Sequence, residues 1–168
     1  MRYSLASPFA ILLFLAACGQ MGSEPRPSTP SGEGSSRIEG VASVIDGDTI
    51  EIHGQRIRLS GFDAPERGKV CGATNVYQKA ALYLSDQVGT RTVTCKRTGT
   101  DSYDRAVATC RVSGTDLGQI MVGAGWARDW PKYSHGAYAD AEARARGGHK
   151  GIWNLHCPDD LWGSRRYD

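Results

Sequence analysis

The sequence has no large excess of charge of either sign: 20 Lys and Arg stand against 18 Asp and Glu in 168 residues, a formal charge of +2. That balance excludes a strongly basic or acidic tail. It leaves nucleic-acid binding to be decided by local patches rather than by the sum. Beyond the N-terminus, no apolar run reaches the roughly 18 residues of a membrane-spanning helix. There is no Cys-x-x-Cys pair, which argues against a structural zinc site. The four histidines (His53, His135, His149 and His156) have no ligand spacing. The length suits one domain and not two. Glycine, at 21 residues, is plentiful and implies many turns.

Residues 1–17 read as a signal peptide, with Arg2 as the positive start and Phe9 to Ala17 as a short apolar core. The segment ends in Leu15-Ala16-Ala17-Cys18, which resembles the lipobox of bacterial lipoproteins. The resemblance implies lipidation of Cys18 and an exported, cell-envelope protein held to a membrane by its N-terminal lipid; plain secretion is the alternative. The stretch that follows is rich in Gly, Ser, Pro and Thr and nearly empty of large apolar residues. It cannot bury enough surface to offset its ordering entropy. Residues 18–37 therefore read as the lipidated Cys and a flexible linker, and residues 38–168 as the domain.

Four cysteines remain beyond Cys18, an even number that favours disulfides in an exported domain. Cys95 and Cys110 fall on two expected neighbouring strands and are paired, which leaves Cys71 with Cys157. Free buried thiols are the alternative.

Strands are expected over residues 38–45, 49–53 and 56–59, where β-branched and alternating apolar residues are separated by Asp46-Gly47-Asp48 and Gly54-Gln55. Apolar spacing predicts a helix over 73–88, stopped by Gly89. Two further strands are expected over 91–97 and 105–112. Asp116 is placed to cap a short helix, and another helix is expected over 136–146, where Glu142 and Arg146 sit four apart. The order βββαββαα predicts a mainly β, α+β fold. It is an OB-fold five-stranded barrel with about three packed helices.

Charge concentrates in Asp46-Gly47-Asp48-Thr49, in the run from Arg58 to Glu66 (RLSGFDAPE), and in Asp101-Ser102-Tyr103-Asp104-Arg105. In this order and spacing, with Gly125-Trp126-Ala127 and Gly151-Ile152-Trp153 following, the chain resembles the staphylococcal nuclease family over about residues 38–155. The resemblance implies cleavage of DNA and RNA with calcium. It assigns Asp48 and Asp63 as metal carboxylates, the backbone carbonyl of Ala64 as a further ligand, and Asp46 as an outer-sphere carboxylate. It makes Glu66 the general base and Arg58 and Arg105 the phosphate clamps. Tyr103, Tyr133 and Tyr138 become candidates for a nucleotide-binding face. Asp104 stands where the family's prototype has Gly, which adds negative charge near the phosphate site.

The chemistry agrees with these roles. A hard cation on oxygen ligands offsets phosphodiester charge, a guanidinium fork matches two phosphate oxygens, and a glutamate can take a proton from water. Two other classes stand beside this one: a non-catalytic OB binding module, and a structural envelope lipoprotein without a ligand. The tryptophans Trp126, Trp130, Trp153 and Trp162 are expected in packing roles, Arg165-Arg166 as a solvated tail, and the chain as a monomer.

Overall fold

The computed structural model describes residues 36–165 and Tyr167. The expected signal peptide, Cys18 and the linker up to residue 35 lie outside the described residues. Among those described, no helix is long and apolar enough to cross a membrane.

Three strands form a meander: β1 (Arg37–Asp46), β2 (Thr49–Ile52) and β3 (Gln55–Leu59). Arg37, expected as the end of the linker, already belongs to β1, where it pairs with Lys96. β1 and β2 are antiparallel, with Val44 opposite Ile50 and a bulge before Asp46. A bulge sharpens the local twist and turns the strand end aside. β2 returns into β3 through His53 and Gly54, both at positive φ, as tight two-residue hairpins require.

After helix α1 come β4 (Thr92–Thr100) and β5 (Ala106–Val112). β4 is antiparallel to both β1 and β5. β5 then runs parallel to β3, with Ile57 opposite Ala106 and Leu59 opposite Ala108. This last pairing closes the five strands into a barrel, so the OB-type expectation holds. Ile50, Ile52, Ile57, Val93 and Ala108 are fully buried in it. Each such aliphatic side chain contributes about 1.5–3 kcal/mol of transfer energy, less for Ala.

α1 (Val76–Val88) lays Val76, Ala80, Leu84 and Val88 against the core at a four-residue spacing. It starts three residues later than its apolar pattern predicts, because Thr74–Asn75 pairs as a short strand with Val70–Cys71. Asn75 then caps the helix by accepting from Gln78 N at 3.0 Å. α2 (Leu117–Gly123) starts as expected at Asp116, whose carboxylate accepts from Gly118 N and Gln119 N. α3 (Ala139–Gly147) starts after the left-handed pair His135 and Gly136, not at residue 136. Arg146 Nε donates to Glu142 Oε1 within it at 2.8 Å.

Both expected disulfides are present. Cys95–Cys110 joins directly opposed residues of β4 and β5. Cys71–Cys157 ties the loop before α1 to the C-terminal segment across 86 residues. Around the second bridge lies a smaller apolar cluster of Cys71, Val76, Ile152, Leu161 and Trp162.

Candidate active site

The turn joining β1 to β2 is held from two sides. Asp48 N donates to Asp46 Oδ1 at 3.2 Å. Gly47 lies so close to its surroundings that a Cβ there would come 2.6 Å from the Ala64 Cβ and 2.9 Å from the Ala80 Cβ. Only glycine lets the turn press onto α1 and the loop after β3. Asp48 is consequently buried. Its Oδ2 accepts from Ala64 N at 3.1 Å and its Oδ1 from the Thr49 hydroxyl at 3.3 Å. Asp63 is fully buried, in a two-residue strand (Phe62–Asp63) paired with Arg128–Asp129.

Arg58, on β3, connects the two carboxylates. Its Nη1 pairs with Asp48 Oδ1 and its Nη2 donates to Asp63 Oδ1 at 2.9 Å. Burial alone would lower its pKa, but Asp48 and Asp63 outweigh that and hold the guanidinium above its ordinary value. Asp48, Arg58 and Asp63 thus form a buried three-residue ionic cluster.

Glu66 follows the loop and is half-buried, with its N donating to Leu161 O at 3.2 Å. Its Oε1 lies 2.5 Å from Arg165 Nη2, and Arg165 Nη1 also pairs with Asp63 Oδ1. The Tyr167 hydroxyl donates to Asp63 Oδ2. Arg165 is therefore not part of a solvated tail; its neighbour Arg166 lies outside the described residues. Burial opposes the charge on Arg165, yet its hydrogen bond to Asp63 and the surrounding acids raise its pKa. Burial first, then the bond to Asp63, raises that of Tyr167. The signal that was available for this segment is Cys157, together with the apolar pair Leu161-Trp162 just ahead of Gly163.

Arg105 lies at the end of the loop before β5. Its Nε donates to Asp101 Oδ2 at 2.7 Å, and its own N donates to Asp101 Oδ1 at 2.9 Å. Asp104 adopts a left-handed φ of 60°, a conformation Asp tolerates better than most residues. That explains how it occupies a position where the family's prototype has Gly. Tyr103 is exposed, with the Arg105 guanidinium 5.5 Å from its ring centroid.

A cleft of about 400 Å³ is lined by Arg58, Tyr103, Arg105, Trp130, Tyr133 and Arg165. It adjoins a polar pocket of about 150 Å³ lined by Asp46, Asp48, Ala64, Glu66 and the same three arginines. The structure thus brings Tyr103 and Tyr133 to one cleft. Trp130 joins them edge-on to Tyr133 at 4.7 Å, a lining position rather than a core one. Tyr138 does not offer a stacking face there. It is buried against Phe62, and its hydroxyl donates to Asp116 Oδ1 at 3.0 Å. Burial, then Asp116, raises its pKa.

The expected metal ligands form a hard-oxygen set, two buried carboxylates and a neighbouring backbone carbonyl, which suits a cation such as calcium. Among the described residues, no three acidic, His or Cys side chains converge as an ion site. Arg58 and Arg165 stand between these acids.

Residues 56–155 match the family described as staphylococcal nuclease homologue. The chain is 40% identical over 123 residues to the succinoglycan biosynthesis protein ExoI of Rhizobium meliloti (strain 1021), covering 69% of this chain and 64% of that protein. It is 31% identical over 119 residues to an uncharacterized endonuclease of Haemophilus influenzae, covering 67% and 64%. With the micrococcal nuclease of Shigella flexneri it shares 29% over 144 residues, covering 75% and 79%. The chain thus spans just under two thirds of the first two relatives. On the family match, the chain belongs to the staphylococcal nuclease homologues.

Proposed function

We propose that this chain is a calcium-dependent nuclease that hydrolyses phosphodiester bonds of DNA and RNA by direct attack of water. The observation that carries this reading is the gathering of Asp46, Asp48, Arg58, Glu66 and Arg105 around one small polar pocket beside an aromatic cleft, with the buried Asp63 joined to it through Arg58. The relatives named as nucleases support the same class.

Asp48, Asp63 and the Ala64 carbonyl would hold the cation, with Asp46 acting through water. A hard cation there supplies charge neutralisation and Lewis acidity to the phosphate. Arg58 and Arg105 approach the pocket from different elements and present planar donor forks to phosphate oxygens, stabilising charge that builds in the transition state. Glu66 takes the proton of the attacking water. No side chain is needed as a nucleophile. Tyr103 and Tyr133 supply faces for a base or sugar, a sequence-tolerant contact that fits action on both nucleic acids.

We also infer export and a lipid anchor on Cys18. Two disulfides in a domain of this size support an oxidising compartment. A second reading, a non-catalytic binding module, draws on the ion pairs that engage Asp63 and Glu66.

The deciding assay is cleavage of heat-denatured DNA with calcium, with a chelator, and by Glu66→Gln in calcium. The nuclease reading expects cleavage that the chelator abolishes and that the substitution lowers by about 10²–10⁴-fold. No cleavage by the folded, calcium-supplied protein would favour the binding module.

A further inference from the structure

The C-terminal segment is built into the fold up to the edge of the site. Cys157 is bonded to Cys71, and Leu161 and Trp162 are buried in the second apolar cluster. Lys69 pairs with Asp160, and Glu66 N donates to Leu161 O. Gly163 then turns the chain at a φ of 69°, where a Cβ would lie 3.3 Å from Glu66 Cγ. That turn delivers Arg165 and Tyr167 onto the acids. The stretch that matches the family ends at residue 155, so these residues lie beyond it.

Lone pairs decide what this means. A carboxylate offers about four acceptor positions. Asp63 has no exposure to solvent, and its Oδ1 is shared by Arg58 and Arg165 while its Oδ2 is taken by Tyr167. Arg165 also covers Glu66. The three donors on Asp63 leave about one position open, and a divalent cation that takes it repels the guanidinium of Arg165 beside it. Arg58 is embedded in the barrel wall, whereas Arg165 follows the turn at Gly163 and is more exposed. The groups able to leave are Arg165 and Tyr167.

We propose that the segment from Cys157 to Tyr167 is an autoinhibitory latch, in which Arg165 and Tyr167 compete with a divalent cation for Asp63 and keep Glu66 paired until the cation enters. The proposal rests on the reading of Asp48 and Asp63 as calcium ligands. In the latched state the Glu66 carboxylate is engaged by Arg165, so cation entry and release of the base become one event. The Trp130 ring reports the latch, because the Arg165 guanidinium lies 5.6 Å and the Tyr167 ring 5.5 Å from it.

The test is calorimetric titration of calcium into the full chain, its Tyr167→Phe variant, and its Arg165→Gln/Tyr167→Phe double variant, with tryptophan emission followed in parallel. An apparent affinity is reduced by the fraction of molecules in the competent state, so the double variant should bind calcium on the order of tenfold more tightly. Tyr167→Phe, which removes one oxygen and leaves the ring packing, should shift in the same direction by less. Calcium should change the emission of the parent and change that of the double variant far less. Equal or weaker affinity in both variants, with calcium still bound by the parent, overturns the latch and leaves the calcium reading standing. No calcium binding in any of the three overturns both.

Discussion

The two arginines proposed as phosphate clamps from the family resemblance are held in different ways. Arg58 sits on a barrel strand, nearly buried, between two carboxylates that are themselves buried. Arg105 leaves a loop, is about a third exposed, and has one carboxylate partner that it shares with the loop's own backbone. Arg58 is therefore part of what holds the site together, because without it the buried Asp48 would lose its ion pair and Asp63 would keep only Arg165 as a cationic partner. Arg105 is carried by the fold but does not support it. In the proposed function, a clamp with one rigid arm and one adaptable arm would fix the position of a phosphate and still let substrate enter between Tyr103 and Tyr133.

The largest effect that would test this contrast is on stability. Arg58→Ala leaves the two acids facing each other, with Arg165 the remaining cation near Asp63. Removing one partner of a buried ion pair costs about 3–5 kcal/mol, and urea unfolding should show a loss near the lower end of that range. An unchanged unfolding midpoint would mean that the acids are already satisfied without Arg58, and the contrast would collapse. Arg105→Ala should do the reverse. Its pair with Asp101 is partly exposed, so the stability change should stay below about 1 kcal/mol. The cleavage rate should fall by about 10²–10³-fold, the usual cost of losing a donor aimed at transition-state charge. A large loss of stability from Arg105→Ala, by the same urea measurement, would make the two arms alike.

The same contrast explains what was legible in the sequence. The barrel could be read because its signals are local: alternation in β2 and β3, the Asp-Gly turn, the four-residue apolar spacing of α1. Arg58, Asp48 and Asp63 could be read because they stand in short motifs whose residues are neighbours in both chain and space. The closure of β3 on β5 follows from strand count and order rather than from any residue pattern. Helix starts slipped where a cap or a left-handed pair outweighed apolar spacing, at Asn75 and at His135-Gly136. Tyr138 could not be placed from sequence, since its burial depends on Asp116 and Phe62 arriving from distant segments. Arg165 was hidden for a related reason. A terminal Arg-Arg pair has the composition of a solvated tail, and only the fixed position of Cys157, together with the turn at Gly163, directs it back onto Asp63 and Glu66.

The smallest predicted effect concerns how firmly the adaptable arm is held, and it is read by acid titration. Burial pushes the Asp101 carboxyl up, but it accepts from Arg105 N at 2.9 Å, from Arg105 Nε at 2.7 Å and from Tyr103 N at 3.0 Å. These bonds outweigh burial and place its pKa below the ordinary carboxylate value. A carboxyl depressed in the folded state contributes stability above its unfolded pKa of about 3.9, and loses it as pH falls through the lower folded value. The loop should therefore remain clamped through mildly acidic solution and release Arg105 only below about pH 4. Carbon-detected NMR of the Asp101 carboxyl, followed together with the Arg105 Nε proton, should show both signals moving with one midpoint below the ordinary Asp value. A midpoint at or above that value would mean that Arg105 is not held by Asp101 in solution, and that the second arm is free before substrate arrives.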